Sequence, residues 1–209
     1  MIKSDMVATQ IMTGLWKYEN VFKDPFKVIN DIESVLSGKD KRYFWKISAV
    51  GNGEYIKEYR DCVDFKISKD MKFNHLNKDG QDLMQNLYSE CYDAQKAAVD
   101  HYSSIYNIDL GYWEASNLIK YMPGNNFKVH ADDGYSYRAV VSVVSYLNDD
   151  YEGGELYFNN FGFAIKPKAG DVYVFPSTYL FSHAAMPVVS GTKYSMVTML
   201  DYSDKFHKE

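Results

Sequence analysis

Three side chains in this sequence have the types and spacing to hold one metal ion. His130 and Asp132 form an H-x-D pair. In an extended chain, residues i and i+2 point to the same face, so both side chains reach one ion. His183 follows 53 residues later, past several strand-like segments, in the loop-like stretch Ser177 to Val188. Two neutral imidazoles and one carboxylate on one face of an octahedron leave three positions open. That donor set suits non-haem Fe(II) with a bidentate co-substrate and O2. The H-x-D pair does not carry this reading alone. With 5 His and 19 Asp in 209 residues, about 0.5 such pairs arise by chance, and a hydrogen-bonded surface turn explains the two residues at least as well.

Lys193 lies ten residues past His183, at the start of an alternating strand where it shares a face with Ser195 and Val197. If that face points inward, the ammonium needs an anion, because an unpaired charge in a core is costly. A free dicarboxylate would satisfy it. An exposed Lys at a strand start is the competing reading.

The elements that must position these residues fall into two halves. Asp24-Pro25 reads as an N-cap followed by Pro at the first helical position. Phe26, Ile29, Ile32, Val35 and Leu36 then recur at helical spacing, and Gly38 supplies a stop. Tyr43 to Val50 and Asp64 to Ser68 read as short strands. Gln81 to Tyr106 is the strongest helix, with Met84, Leu87, Cys91, Ala94, Ala98, Tyr102 and Ile105 on one core-packing stripe. From residue 116 the period becomes two. Ser116 to Tyr121, Ala139 to Leu147, Leu156 to Phe158, Phe163 to Pro167, Asp171 to Phe175 and Lys193 to Leu200 read as strands between Gly-containing turns. The expected domain is single, 1–209, with a helix-rich support over 1–115 and a strand-rich core over 116–203. Short strands at this spacing predict a sandwich or barrel with helices on one sheet face.

Composition sets outer bounds. Hydrophobic residues make up 46% and charged residues 24%, as in ordinary globular proteins. The net charge of −5 opposes nucleic-acid binding driven by phosphate neutralisation. Cys62 and Cys91 lack C-x-x-C spacing and read as reduced thiols. Met1 to Gln10 has no long apolar run, and no segment reaches membrane-spanning length, so neither a signal peptide nor a membrane partner is expected. A cytoplasmic location follows as an expectation. Abundant Lys, Asn, Tyr and Ile point to an AT-rich microbial or viral genome.

Residues 117–201 resemble the Fe(II)- and 2-oxoglutarate-dependent prolyl 4-hydroxylases. The resemblance runs from YMPGNNFKVHAD, with Tyr121, Gly124, His130 and Asp132, through Tyr146-Leu147-Asn148, Gly153-Gly154, Leu156 and Phe158, to Pro167, Gly170 and Phe175-Pro176. It closes on HAAMPVVSGTK, which meets every fixed position of the family's H-A-x-x-P-V-x-x-G-x-K. The resemblance implies an α+β fold built on a double-stranded β-helix, the jelly roll, with the N-terminal helices packed on its larger sheet. It implies His130, Asp132 and His183 as iron ligands and Lys193 as the partner of the distal carboxylate of 2-oxoglutarate. Tyr121, Tyr146 and Ser195 would line the co-substrate pocket. It further implies O2 as co-substrate, ascorbate as reductant, and a proline-containing peptide or protein as substrate, as in procollagen-proline 4-dioxygenases. Succinate and CO2 would be the co-products.

The match has departures. Relatives carry an Arg and, three residues later, a Thr before the Tyr-Leu-Asn string. Here the Thr position is Ser142, the Arg position is Ala139, and Arg138 sits one residue early. The Trp often found six residues after the Lys is Met199. Arg138, Tyr137 and Phe127 are the candidate substrate contacts, and Asp133, Tyr135, Tyr137 and Arg138 a candidate lid. His75, His101 and His207 read as structural. Three other readings compete: a 2-oxoglutarate oxygenase acting on another residue or a small molecule, an oxidative nucleic-acid demethylase, and an inactive jelly roll serving as a binding module. The demethylases of this class bind 2-oxoglutarate through Arg, and an inactive module would not need an intact triad with Lys193. Neither the substrate nor the oligomeric state is specified by sequence.

Overall fold

The computed structural model describes residues 5–36, 45–50, 53–69, 71, 78–135 and 137–207. Gly38, Tyr43, Phe44 and His75 lie outside these residues. Among the described residues two α-helices, α1 (Pro25–Leu36) and α2 (Lys78–Tyr106), accompany sixteen strands. In the first half these are β1 (Val7–Met12), β2 (Leu15–Glu19), β3 (Lys46–Ile47), β4 (Arg60–Asp61), β5 (Val63–Ile67) and β6 (Tyr112–Trp113). In the second half they are β7 (Ser116–Tyr121), β8 (Asn126–His130), β9 (Val141–Tyr146), β10 (Glu152–Gly153), β11 (Leu156–Phe158), β12 (Phe163–Ile165), β13 (Val172–Pro176), β14 (His183–Ala185), β15 (Val188–Ser190) and β16 (Lys193–Asp201).

The larger sheet runs β1-β2-β13-β9-β16-β7-β5-β3, with β6 on β16, and the smaller runs β12-β11-β14-β8-β4. β10 pairs with β15 apart from both. All these pairings are antiparallel. This is the jelly-roll α+β architecture expected.

Alternation along the larger sheet divides its residues between two cores, because successive strand residues face opposite ways. Val141 and Val143 on β9, Val172 and Val174 on β13, and Met196 and Leu200 on β16 pack with Val28 and Ile32 of α1 and with Met84, Leu87, Cys91 and Ala98 of α2. Val144, Tyr146, Tyr173 and Phe175 face the other way and join Leu156 and Phe158 of the smaller sheet. The two helices thus back the larger sheet and leave its other face for the site. Each fully buried Val, Leu or Met contributes roughly 1.5–3 kcal/mol. Among the described residues no helix is long and apolar enough to cross a membrane. Cys62 and Cys91 are buried free thiols.

The start of α1 follows the sequence, while α2 begins at Lys78, three residues before Gln81. Asp24 Oδ1 accepts from Lys27 N at 2.9 Å, which satisfies one orphan amide of the first turn. Two details differ from the periodicity. α1 buries Val28 rather than Phe26, which is 44% exposed, and Ile105 at the end of α2 is also exposed. The first half is also richer in strands than expected. The β1–β2 hairpin turns at Gly14, whose φ of +88° favours glycine and whose added Cβ would lie 2.8 Å from the Phe181 ring. β2 then extends the larger sheet beside β13.

Candidate active site

His183 is not in a loop. It opens β14 and sits directly opposite His130, the last residue of β8. This pairing closes the separation of 53 residues, and Asp132 lies two residues past His130 where the chain leaves the strand. The donor atoms of the three residues all fall within 4.8 Å of one another. Asp132 Oδ1 is 3.5 Å from His130 Nε2, and Oδ2 is 3.8 Å from His183 Nε2. Metal–ligand bonds of about 2 Å put adjacent donors roughly 3 Å apart, so a small contraction brings all three onto one ion.

Each imidazole is oriented from behind. His130 Nδ1 meets Lys128 O at 2.8 Å and His183 Nδ1 meets Phe181 O at 3.0 Å. A carbonyl only accepts, so the proton sits on Nδ1 and the Nε2 lone pair turns to the centre. Burial lowers the His183 pKa to about 4 against the opposing pull of Asp132, which keeps the ring neutral and able to ligate. Burial opposes ionisation of Asp132, but the two imidazoles and Ser142 outweigh it and hold its carboxyl well below the usual range. Ser142 Oγ donates to Asp132 Oδ2 at 2.6 Å. The residues present therefore fit a divalent metal of the non-haem iron type.

A cavity of about 560 Å³ opens from this cluster. Tyr121, Tyr146, Lys193 and Ser195 all line it, because β16 lies between β9 and β7 with Lys193 opposite Tyr121 and Ser195 opposite Tyr146. Lys193 does point inward. It is 1% exposed, and among the described residues no carboxylate pairs with it. Its Nζ donates to Gly154 O at 2.7 Å and stands 4.9 Å and 5.1 Å from the ring centres of Tyr121 and Tyr146. Burial, with Lys166 nearby, pulls its pKa down to about 7. Gly154 has a φ of +65°, and a Cβ there would meet Lys193 Cδ at 3.1 Å. Burial keeps the Tyr121 and Tyr146 phenols neutral.

The three candidate substrate residues separate. Phe127 lines the cavity, stacks on His130 at 3.6 Å and carries Arg60 over its ring at 4.8 Å, so it supports the His130 ring. Tyr137 lines the cavity wall. Arg138 turns out of the cavity. Its Nε pairs with buried Asp201 at 3.1 Å and its guanidinium covers Phe206 at 4.4 Å. In the candidate lid, Tyr135 is fully exposed while Asp133 Oδ1 accepts from Ala139 N. His207 is bound to Asp201 and stacked on Tyr112, and His101 contacts Tyr18 and Trp16. Arg60, Asp64 and Asn117 also line the cavity. Arg60 and Asn117 both bond Asp64 Oδ2, and no local pattern marked them, since they come from different strands.

Residues 116–200 match the model of the 2OG-Fe(II) oxygenase superfamily. A protein of Acanthamoeba polyphaga mimivirus, named as a candidate prolyl 4-hydroxylase, is 28% identical over 109 residues, which is 43% of this chain and 45% of that protein. A PKHD-type hydroxylase of Colwellia psychrerythraea is 36% identical over 87 residues, 37% of this chain and 38% of the relative. The matched stretches thus span less than half of these relatives. Among solved structures, a Trichoplax adhaerens prolyl hydroxylase in complex with a hypoxia inducible factor peptide fragment aligns with a TM-score of 0.70 at 16% identity, covering 90% of this chain and 83% of that one. A viral collagen prolyl hydroxylase of Paramecium Bursaria Chlorella virus-1, in its 2OG complex, gives 0.59 at 19%, covering 90% and 95%. A Pseudomonas putida prolyl-4-hydroxylase gives 0.62 at 16%, covering 91% and 93%. At these identities the structural likeness speaks for the fold.

Proposed function

We propose that the chain acts as one oxygenase domain, a 2-oxoglutarate- and O2-dependent hydroxylase of proline in a peptide or protein. The observation that carries this reading is the shared cavity. The His-Asp-His cluster opens into it, and so does a buried lysine that pairs with no carboxylate among the described residues. His130, Asp132 and His183 would hold iron(II), leaving three positions for co-substrate and O2. Bound iron with 2-oxoglutarate supplies the oxidising power, in which 2-oxoglutarate, O2 and a substrate C–H become succinate, CO2 and C–OH.

The chain's own residues do the positioning. Lys193 receives the distal carboxylate as a charge-assisted partner, with a further N–H free to keep the bond to Gly154 O. Tyr121 and Tyr146 present neutral phenols on either side of the ammonium, and Ser195 continues the same wall. Phe158 and Phe175 pack around His183 and keep water from that flank of the cluster. Similarity to prolyl hydroxylases supports proline as the target, with ascorbate as the external reductant. Purified protein given Fe(II), ascorbate and 2-oxoglutarate is expected to release succinate, and His183→Ala to abolish it. A panel of Pro-rich peptides, screened by mass, is expected to show one gaining an oxygen atom. Succinate release that survives His183→Ala would overturn the reading. Release without any oxidised peptide would move the substrate away from proline.

A further inference from the structure

We propose that Ser142 and Ser177 are positioning residues of the metal centre, forming a one-way hydroxyl relay from Ser177 to Ser142 to Asp132 that holds Asp132 as a single-oxygen ligand. This rests on the metal centre proposed above and adds residues outside its ligand set. Ser142 Oγ lies 2.6 Å from Asp132 Oδ2 and 2.7 Å from Ser177 Oγ. A metal-ligating carboxylate is ionised and only accepts hydrogen bonds. A serine hydroxyl has one proton, so Ser142 must give it to Asp132. Ser177 must then donate to Ser142. The order of the relay follows from proton counting, although the Ser142–Ser177 distance alone leaves the donor open.

Both serines are buried, at 0% and 2% exposure, so bulk water does not compete for these bonds. The far end is fixed as well. Ser177 N donates to Val140 O at 3.0 Å, and Ser177 O accepts from Asp133 N at 2.9 Å. Ser177 therefore ties the start of β9 to the residue after Asp132. It also begins the short segment that leads from β13 to His183. With Oδ2 committed to the relay, Oδ1 is left to face the ion beside His130 Nε2. A carboxylate free to rotate could bring both oxygens onto the metal and take up one of the positions the co-substrate and O2 need. The relay prevents this.

The test uses the full chain, stripped of metal and titrated with Mn(II) alone. Affinity is read by competition with a chromophoric chelator. Metal-bound water is counted by electron–nuclear double resonance in isotopically labelled water. Ser142→Ala is expected to weaken Mn(II) binding by about 10- to 100-fold, the range for loss of an outer-shell partner. It is also expected to reduce bound waters from about three to about two as Asp132 becomes bidentate. Ser142→Thr keeps the hydroxyl and restores both values. Ser177→Ala leaves the Ser142–Asp132 bond in place and so has the smaller effect, about 3-fold, by loss of cooperative polarisation. If Ser142→Ala does not fold, Ser142→Cys, a weaker donor of similar size, carries the same expectation. An unchanged water count in the hydroxyl-free variant, or a larger loss in Ser177→Ala than in Ser142→Ala, overturns the relay. Failure of the unaltered protein to bind Mn(II) at all would instead remove the metal centre itself.

Discussion

Replacing Lys193 by Met should make the ligand-free protein more stable while impairing its proposed co-substrate site. Burial lowers the Lys193 pKa from 10.5 to about 7. At about 1.4 kcal/mol per unit, charging this group in place costs up to roughly 5 kcal/mol. Met is similar in length and needs no charge. It forfeits the bond to Gly154 O, about 1 kcal/mol, and the two ring contacts, about 1 kcal/mol. The net gain is therefore about 3 kcal/mol, within the range seen when buried charges become apolar. The sign varies with pH. Between about 7 and 10.5 the unfolded chain binds a proton that the folded chain does not, so the stability of the unaltered protein rises with pH there. The advantage of Lys193→Met is complete below about pH 7 and fades as pH approaches 10.5. Denaturant melts of metal-free protein at several pH values read this directly. In the same variant the 2-oxoglutarate requirement should rise by about 10- to 100-fold with loss of a charge-assisted contact. A variant that is less stable than the parent, or whose advantage ignores pH, would refute the burial reasoning. An unchanged 2-oxoglutarate requirement would refute the role.

The same titration predicts that in the unaltered protein the 2-oxoglutarate Kd rises with pH above about 7, by up to about tenfold per unit, because binding then requires proton uptake; isothermal calorimetry in buffers of different ionisation enthalpy checks the uptake. Gly154→Ala should cost about 1–3 kcal/mol, since φ is +65° and the new Cβ presses on Lys193 Cδ, and should weaken 2-oxoglutarate binding in the same sample, as melts and calorimetry will show. Arg138→Ala should lower stability by about 1–2 kcal/mol, because buried Asp201 loses its guanidinium partner and keeps His207 and the Tyr202 amide. It should leave peptide-free decay of 2-oxoglutarate unchanged, and a parallel fall in that decay would place Arg138 at the co-substrate instead.

The features legible in the sequence were those whose geometry is local. The H-x-D pair needs only an extended backbone to aim two side chains one way, and alternation from Lys193 to Val197 needs only the strand period. The same holds for the Asp24 cap and the apolar stripe of α2. The string from His183 to Lys193 carried the oxygenase resemblance because its fixed spacings survive without knowledge of the fold. Long-range pairing decided the rest. His183 looked like a loop residue because β14 is three residues long, too short to show a period, and exists as a strand through its pairing with β8 and β11. The β1–β2 hairpin escaped notice because its outer strand is largely exposed and carries no clean alternation. Arg138 could not be placed from its neighbours, since its partner Asp201 is 63 positions away at the end of β16. Nor could Ser142 be matched to Ser177 across the sheet. Sequence named the His-Asp-His cluster and the lysine, because side-chain type and local period are written along the chain. Tertiary structure alone decided that they face one cavity, because that depends on which strands lie side by side.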